Sequence, residues 1–305
     1  MHRQIEYRGA VNATSTVLEG DYVASPALAD VVRVLDGFYP RHTAAGWDRV
    51  GLVTGDHQQP VQLVHFAVDP TLAVIEEARD AGADLLVTHH PLLLRGVHSV
   101  ATTTAKGAAI TTLVVADIAL YCAHTNADVA TPGVNDALAV ACGLPPDAAP
   151  LDEEDGQPIG KVGDLAAPMT LRDYAEFVAA ALPAAPAGLR VSGDPGAVVR
   201  RVAVQGGAGD TRFDAVRSAG ADVYVTADLR HHPALEAREE GRGGPPYLID
   251  AAHWATESLW LAGCADRLRA ALQEQGYDVE TAVSQLRTDP WDFVIPTERP
   301  ETKEQ

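Results

Sequence analysis

Cysteine is scarce in this chain. Cys122, Cys142 and Cys264 are odd in number, widely spaced and form no C-x-x-C pair, so neither a disulfide framework nor a thiolate zinc site is supported and all three read as small core residues. No run of 18 apolar residues occurs. The amino terminus carries Arg3, Glu6 and Arg8 with no apolar stretch after them, which predicts a cytoplasmic protein without membrane contact. Positive charge is also short, with 23 Lys and Arg against 42 Asp and Glu and a formal net charge of −19. Such a surface repels phosphate backbones and argues against a nucleic-acid partner, while leaving open a small phosphorylated molecule recruited through a bound cation. Two further signatures are missing. There is no strand-linked G-x-G-x-x-G of a dinucleotide fold and no G-x-S-x-G elbow of a serine hydrolase.

What is present is an internal repeat. Arg79-Asp80-Ala81-Gly82-Ala83-Asp84-Leu85-Leu86-Val87-Thr88 returns as Arg217-Ser218-Ala219-Gly220-Ala221-Asp222-Val223-Tyr224-Val225-Thr226, an offset of 138 residues, and Gly55-Asp56 returns as Gly193-Asp194 at the same offset. Two matches at one spacing predict two similar α/β lobes with mainly parallel sheets. With 47% hydrophobic residues, the chain has enough apolar material to bury a core in each. In the first lobe, residues 25–145, strands are expected at Val61 to Val68, Leu85 to Thr88 and Ala119 to Cys122. Helices are expected through Leu28 to Leu35, from a cap at Asp69-Pro70 to Ala78, and over Ala105 to Ala116 and Val134 to Cys142. Pro145, Pro146, Pro150 and the acidic run Asp152 to Asp155 mark 146–169 as a linker. The second lobe, 170–287, opens with a helix capped by Thr170. Strands follow at Val198 to Val204, Val223 to Thr226 and Tyr247 to Ile249, with helices near Phe213 to Ala219 and Ala234 to Glu240 and a long helix from Thr256 to Glu274. Residues 1–24 and 288–305 are terminal extensions, the second with Trp291 and Phe293 able to dock it on the body.

Functional groups in open parallel sheets gather beyond the carboxyl ends of the strands. His89 and His90 follow one expected strand, His124, Asn126 and Asp128 the next, and His253 and Glu257 a third. His253 and Glu257 stand four apart at a helix start and so share one face. Imidazole with carboxylate suits zinc, iron, manganese, cobalt or nickel better than calcium or magnesium. The five candidate ligands His89, His90, Asp128, His253 and Glu257 are too few to saturate two ions and more than one tetrahedral ion needs. That count favours a dinuclear site with open positions. Gly206, Gly207 and Gly209, after the strand ending at Val204, are candidates for backbone contact with a bound anion, or ordinary tight-turn glycines.

Five ordered motifs carry a resemblance: Gly46-Trp47-Asp48-Arg49-Val50-Gly51-Leu52; Thr88-His89-His90-Pro91-Leu92; His124-Thr125-Asn126-Ala127-Asp128 with Gly133-Val134-Asn135-Asp136; Asp222-Val223-Tyr224-Val225-Thr226-Ala227-Asp228; and Asp250-Ala251-Ala252-His253-Trp254-Ala255-Thr256-Glu257. Over about Ala27 to Gln285 the chain resembles the Nif-three-like family of dinuclear-metal-centre proteins, homologues of type 2 GTP cyclohydrolase I. The resemblance implies the Nif-three-like fold, a homohexameric ring and the same five metal ligands. It implies an auxiliary place for His124, orienting Asp128 or bound water, and makes His232 a candidate for proton transfer or phosphate contact, or else a simple surface histidine. It also implies a small-molecule substrate such as a purine nucleotide, with phosphoester or amide hydrolysis remaining open. A non-catalytic metal storage, delivery or regulatory protein is the rival reading. Ala227 and Ala252 stand where the family has glycine, and the stretch from Gly143 to Thr170 is too short for the domain that some members insert between the lobes.

Overall fold

The computed structural model describes residues 25–295; the first extension, 1–24, and the end of the second lie outside them. The first half runs α1 (Leu28–Phe38), β1 (Gly51–Thr54), β2 (Leu63–Ala67), α2 (Leu72–Asp80), β3 (Leu85–Thr88), α3 (Ala105–Val115), β4 (Ala119–Cys122), α4 (Thr125–Val129) and α5 (Val134–Ala141). There follow β5 (Ala149–Glu154), β6 (Gln157–Thr170), α6 (Leu171–Ala181), β7 (Arg190–Ser192), β8 (Val198–Ala208), α7 (Phe213–Ser218), β9 (Val223–Ala227), α8 (His231–Glu240), β10 (Tyr247–Ala251), α9 (His253–Glu274) and β11 (Glu280–Val283). They form two sheets, ordered β1-β4-β3-β2-β11 and β5-β6-β8-β9-β10-β7. The central strands β2, β3 and β4 are parallel, as are β8, β9 and β10.

The repeat in sequence is a repeat in structure, down to single hydrogen bonds. Val64 pairs with Leu85 in the first sheet and Val202 with Val223 in the second, each pair 138 residues from its counterpart. Asp84 Oδ2 accepts from the amides of Gln62 (2.6 Å) and Leu63 (3.1 Å); Asp222 Oδ2 accepts from those of Arg200 and Arg201, both at 2.8 Å. The same aspartate therefore ties each central strand to the start of its neighbour. Ahead of it, Gly82 (φ 75°) and Gly220 (φ 65°) take the left-handed turn that ends α2 and α7. The antiparallel edge strands β1 and β7 flank β4 and β10 in corresponding places.

Side chains alternate across each sheet, so each has two buried faces. Leu85 and Val87 face α1 and α9 while Leu86 faces α2 and α3; Val223 and Val225 face α5 and α6 while Tyr224 faces α7 and α8. One departure from the duplication joins the halves. Helix α9 follows β10 but sends Trp260, Leu261, Cys264, Leu268 and Leu272 into the core of the first sheet, and β11 then adds to that sheet beside β2. The expected second lobe, 170–287, is therefore not self-contained.

The stretch 146–169 is not a linker but the hairpin β5–β6 at the edge of the second sheet. Proline and acidic residues have the pattern of a linker, yet an edge strand such as β5 tolerates both: its outer amides need no partner and its charges face solvent, while Leu151, Val162 and Leu165 are buried. Asp155 and Gly156 turn the hairpin with φ of 50° and 76°. The tail does not dock through its aromatics either, since Trp291 and Phe293 are 65% and 74% exposed.

Removing the strand clamp should cost both halves alike. Asp84→Ala and Asp222→Ala are each expected to lower stability by about 1–3 kcal/mol, the range for a hydrogen-bonded charged acceptor, read as a shift of the urea midpoint. No loss for either variant would deny the shared aspartate its structural part.

Candidate metal centre

The carboxyl ends of the two sheets face each other, and the candidate residues meet there. Beyond β3 the amides of His89 and His90 still bond to the carbonyls of Ala67 (3.2 Å) and Val68 (2.8 Å), which fixes both imidazoles as the chain leaves the sheet. His124 precedes α4, and Asp128 lies on it. Helix α9 begins at His253, one turn before the expected Thr256, so His253 and Glu257 project from its first turns.

Each of four histidines has its Nδ1 occupied. His89 Nδ1 lies 2.9 Å from the Ala123 carbonyl, His90 Nδ1 2.7 Å from Asp69 Oδ1, His124 Nδ1 3.0 Å from Asp48 Oδ1, and His253 Nδ1 2.8 Å from Asp228 Oδ2. These partners only accept hydrogen bonds, so in the neutral ring they place the proton on Nδ1 and turn the Nε2 lone pair toward the centre. Glu257, almost fully buried, stands at the focus: Oε1 lies 2.9 Å from His253 Nε2 and 3.4 Å from His89 Nε2, and Oε2 lies 3.1 Å from His90 Nε2. Asp128 Oδ1 is 3.6 Å from His89 Nε2.

The donor atoms suit divalent cations. His89 Nε2 and Asp128 Oδ1 are buried without a hydrogen-bond partner, 3.6 Å apart, and Glu257 Oε2 is left without one when His90 gives up its Nε2 proton. Leaving such atoms unpaired is costly, and a shared cation relieves all of them together. Ligand atoms of His89, His90 and His124 lie within 4.8 Å of one another, as do those of His90, His253 and Glu257. His124 thus approaches as closely as the expected ligands do. Nitrogen and carboxylate oxygen without thiolate match the harder transition metals.

Electrostatics follow from the same contacts. Burial opposes the charge on His90, but Asp69 and Glu257 outweigh it and raise its pKa to about 10. Burial likewise opposes the charge on His253, and Asp228 and Glu257 raise it to about 10. Glu257 is held well below the usual carboxylate range by His89, His253 and His90 despite its burial. Asp128 is pushed up by burial and by Glu257, with His89 pulling the other way. Asp48 is held low by His124 and Thr125 against its burial.

Three supporting carboxylates are not among the site residues expected from the sequence. Asp69 was expected to cap α2, but Thr71 takes that place, accepting from the amide of Val74, which frees Asp69 for His90. Asp48 lies inside the first quoted motif and also accepts from the amide (3.0 Å) and hydroxyl (2.6 Å) of Thr125. Asp228 occupies in the second half the position of His90 in the first. Its left-handed backbone, φ 55°, is one that aspartate tolerates, and it aims the carboxylate at His253.

The glycines serve the site differently from the expectation. The amides of Gly206 and Gly207 are taken by Asn135 Oδ1 (2.9 Å) and Thr256 Oγ1 (3.0 Å), so they do not offer themselves to an anion. Gly207, at φ 66°, leaves room instead: a Cβ there would lie 2.5 Å from Glu257 Oε1. Gly209 passes close under Tyr224 and Thr226, and its carbonyl accepts from the Tyr224 hydroxyl at 3.0 Å. His232 is exposed at the start of α8, its ring 5.2 Å from that of His231, and among the described residues it makes no hydrogen bond or ion pair with the cluster. Ala227 is buried at the end of β9, and Ala252 caps α9 in an extended conformation open to any residue. Beside His90 and His253 opens a cleft of about 600 Å³, walled by Arg190, Ala252, Trp254 and residues of the segment 288–294.

Two outcomes follow. Asp228→Asn is expected to weaken metal affinity by about 10–100-fold, the usual cost of losing the partner of a ligating histidine, and Gly207→Ala to lower metal content by displacing Glu257; elemental analysis after dialysis reads both. Metal binding should also tighten as pH rises. His90 and His253 hold protons in the metal-free fold up to about pH 10, a stabilising charge present below the unfolded histidine value and lost as pH climbs through the folded one. Ligation needs the neutral rings, so loading at pH 7.5 must release protons. Calorimetry in buffers of different ionisation enthalpy measures that release, and a heat independent of buffer would contradict it.

Comparison with known proteins agrees with this fold. The family model of Duf34/NIF3 (NGG1p interacting factor 3) matches residues 26–290. A Streptomyces coelicolor protein named GTP cyclohydrolase 1 type 2 homolog is 50% identical over 270 residues, 87% of this chain and 94% of its own length. A protein of the same name from Mycobacterium leprae is 35% identical over 88% of this chain and 96% of its own length, in an alignment of 377 positions that exceeds this whole chain. Among solved structures, a Bacillus cereus protein related to NIF3 superposes with a TM-score of 0.80 at 27% identity, covering 88% of this chain and 99% of that one. A Staphylococcus aureus hypothetical protein does so at 0.77 and 28% identity, covering 88% and 100%. A metal-ready cluster at the meeting of two duplicated sheets, matched over nearly all the described residues, places this chain in the Duf34/NIF3 family.

Proposed function

We propose that the protein is a dinuclear-metal-dependent hydrolase acting on a small phosphorylated metabolite, with a purine nucleotide opened in the manner of a type 2 GTP cyclohydrolase I as the specific reaction. The observation that carries this reading is the set of orphaned, buried ligand atoms beside a cleft of about 600 Å³. A cluster that only bridged the halves would have no need of an adjoining cavity of ligand size. The names of the Streptomyces and Mycobacterium relatives support the choice of reaction.

Two divalent ions held by His89, His90, Asp128, His253 and Glu257 would supply Lewis acidity and sharpen the acidity of water. The chain's own residues set the rest. Glu257, with one oxygen near His89 and His253 and the other near His90, is the group placed to bridge. His124, its Nδ1 held by Asp48, keeps Nε2 free to take a proton and return it to a leaving group. His232, exposed on α8, has no ligand part. The same proposal makes the protein a cytoplasmic homohexamer. No helix of the described residues is long and apolar enough to cross a membrane.

The test is to load the purified chain with zinc, iron, manganese, cobalt or nickel and to offer GTP and generic phosphoesters, following formate and phosphate release. Turnover should track metal content and reach its plateau at two ions per chain. Glu257→Gln should lose activity by more than about 100-fold, beyond the range for a residue that only supports a ligand, while His232→Gln retains its metal. Reversible metal exchange without turnover on any substrate would favour a storage or delivery protein, and a plateau at one ion would remove the dinuclear centre.

A further inference from the structure

The motif Gly133-Val134-Asn135-Asp136 supplies none of the candidate ligands and none of their imidazole partners, yet it opens α5 where the two halves meet. Val134 packs into the first core and Leu138 into the second. Between them Asn135 is 1% exposed, and both ends of its carboxamide are used. Nδ2 donates to the backbone carbonyl of Asp128 at 2.8 Å, and Oδ1 accepts from the amide of Gly206 at 2.9 Å. A carbonyl only accepts and an amide only donates, so this is the one orientation that chemistry permits.

Each end of the carboxamide leads to a carboxylate of the centre. One end holds Asp128 itself. The other holds Gly206, which precedes Gly207; the Gly207 amide donates to the Thr256 hydroxyl (3.0 Å) beside Glu257, and the missing side chain of Gly207 leaves the room next to Glu257 Oε1. Helix α4, which carries Asp128, has five residues, too few to hold their shape without outside support. Its first residue is fixed by Asp48, which accepts from the Thr125 amide at 3.0 Å. Among the described residues, Asn135 is the side chain that fixes the far end, at Asp128. The same loop is fastened to the second half at two more points, where the Pro132 carbonyl accepts from Arg267 (3.0 Å) and Asp136 pairs with Lys161 (2.7 Å), but neither contact reaches Asp128.

We infer that Asn135 is a positioning residue of the metal centre: its carboxamide spaces Asp128 against Gly206 and Gly207 and thereby sets the separation of Asp128 from Glu257. This rests on the dinuclear reading proposed above and adds to it the residue that places one carboxylate ligand relative to the other. Metal sites tolerate ligand displacements of only about 0.5 Å. His89 Nε2 lies 3.6 Å from Asp128 Oδ1 and 3.4 Å from Glu257 Oε1, so a shift of Asp128 disturbs its own side of the cluster and leaves the group His90, His253 and Glu257 in place. Aspartate at position 135 would keep the acceptor and lose the donor, and leucine would keep the approximate shape and lose both.

The experiment titrates the metal-free full chain with cobalt(II), following the visible absorption bands and the heat of binding. The unaltered chain should take up two ions. Asn135→Leu should bind one of them about 10–100-fold more weakly, the range for losing a group that supports a ligand, and bind the other unchanged. The cobalt spectrum that remains should coincide with that of Asp128→Asn, in which the ligand itself is altered. Asn135→Asp, which removes only the donor to Asp128, should behave in the same way and decides the matter where the leucine variant does not fold. Asp136→Asn breaks the neighbouring pair with Lys161; it should lower the urea midpoint and bind both ions as before. Both ions bound as tightly by the Asn135 variants as by the unaltered chain, both weakened equally, or loss of the same ion in Asp136→Asn would each overturn the assignment. A plateau at one ion in the unaltered chain would remove the dinuclear reading; it would uphold Asn135 if that ion is weakened in the Asn135 variants and not in Asp136→Asn, and overturn it otherwise.

Discussion

A single buried carboxylate holds the arrangement together. Glu257 comes from a helix that follows the second sheet, yet its oxygens lie among His89 and His90 of the first half and His253 of its own helix. Burying an ionised carboxylate is expensive unless its charge is answered, and here three imidazoles answer it. The helix that carries Glu257 continues into the core of the first sheet through Trp260, Leu261 and Leu268. Packing and electrostatics thus fix the same element against the same neighbour. Neither half can shift without exposing α9 or stranding its charge.

The duplication clarifies how the site arose from two similar frames. At the 138-residue offset the halves share a strand clamp, a glycine turn and a threonine at the strand end, Thr88 and Thr226, whose hydroxyls donate to the carbonyls of His90 (2.9 Å) and Gly207 (3.0 Å). Beyond that point the halves diverge by role. His89 and His90 correspond to Ala227 and Asp228, and Asp69 corresponds to Gly207. One frame presents ligands to the centre; the other presents the carboxylate that supports a ligand and the glycine that makes room for one. The divergence that shapes the site lies at and just beyond the carboxyl ends of the strands, where side chains face the centre, while the strand interiors stay apolar because they are buried on both faces.

Much of this was legible in the sequence, and what was not has physical causes. Strands β3, β4, β9 and β10 are uninterrupted apolar runs, the strongest signal a buried parallel strand gives, and the five expected ligands are drawn to one cluster. The edge strands were hidden because an edge strand need not be apolar, as β5 demonstrates with Pro150 and Asp152. The supporting carboxylates were hidden for another reason. Asp69, Asp48 and Asp228 reach their histidines across 21, 76 and 25 residues of chain, and local pattern carries no record of such pairings. Asp69-Pro70 has the form of a helix cap, and only the geometry tells that Thr71 performs that task. The glycines were seen, but spacing cannot distinguish a glycine that offers its amide from one that yields its volume.

Charge sets the order of events at the centre. The chain is strongly acidic, and the cleft beside the ligands is lined by the carboxylates of Asp69, Asp228, Asp250 and Asp289 against Arg190 and the imidazoles of His90 and His253. Once His90 and His253 give up their protons to act as ligands, a phosphorylated molecule meets repulsion from these carboxylates unless a bound cation answers it. Within the protein that charge has one natural place, the cluster around Glu257, where buried ligand atoms remain unpaired. Cation binding and phosphate binding are consequently coupled: by linkage, whatever the cation contributes to the affinity for the phosphate, the phosphate returns to the affinity for the cation. The donor-bearing part of the ligand escapes the repulsion, since acidic walls attract it. An acidic cleft next to a cation site therefore orients a molecule with an anionic end and a donor-rich end in one direction only, anion toward the cluster and donors toward the walls.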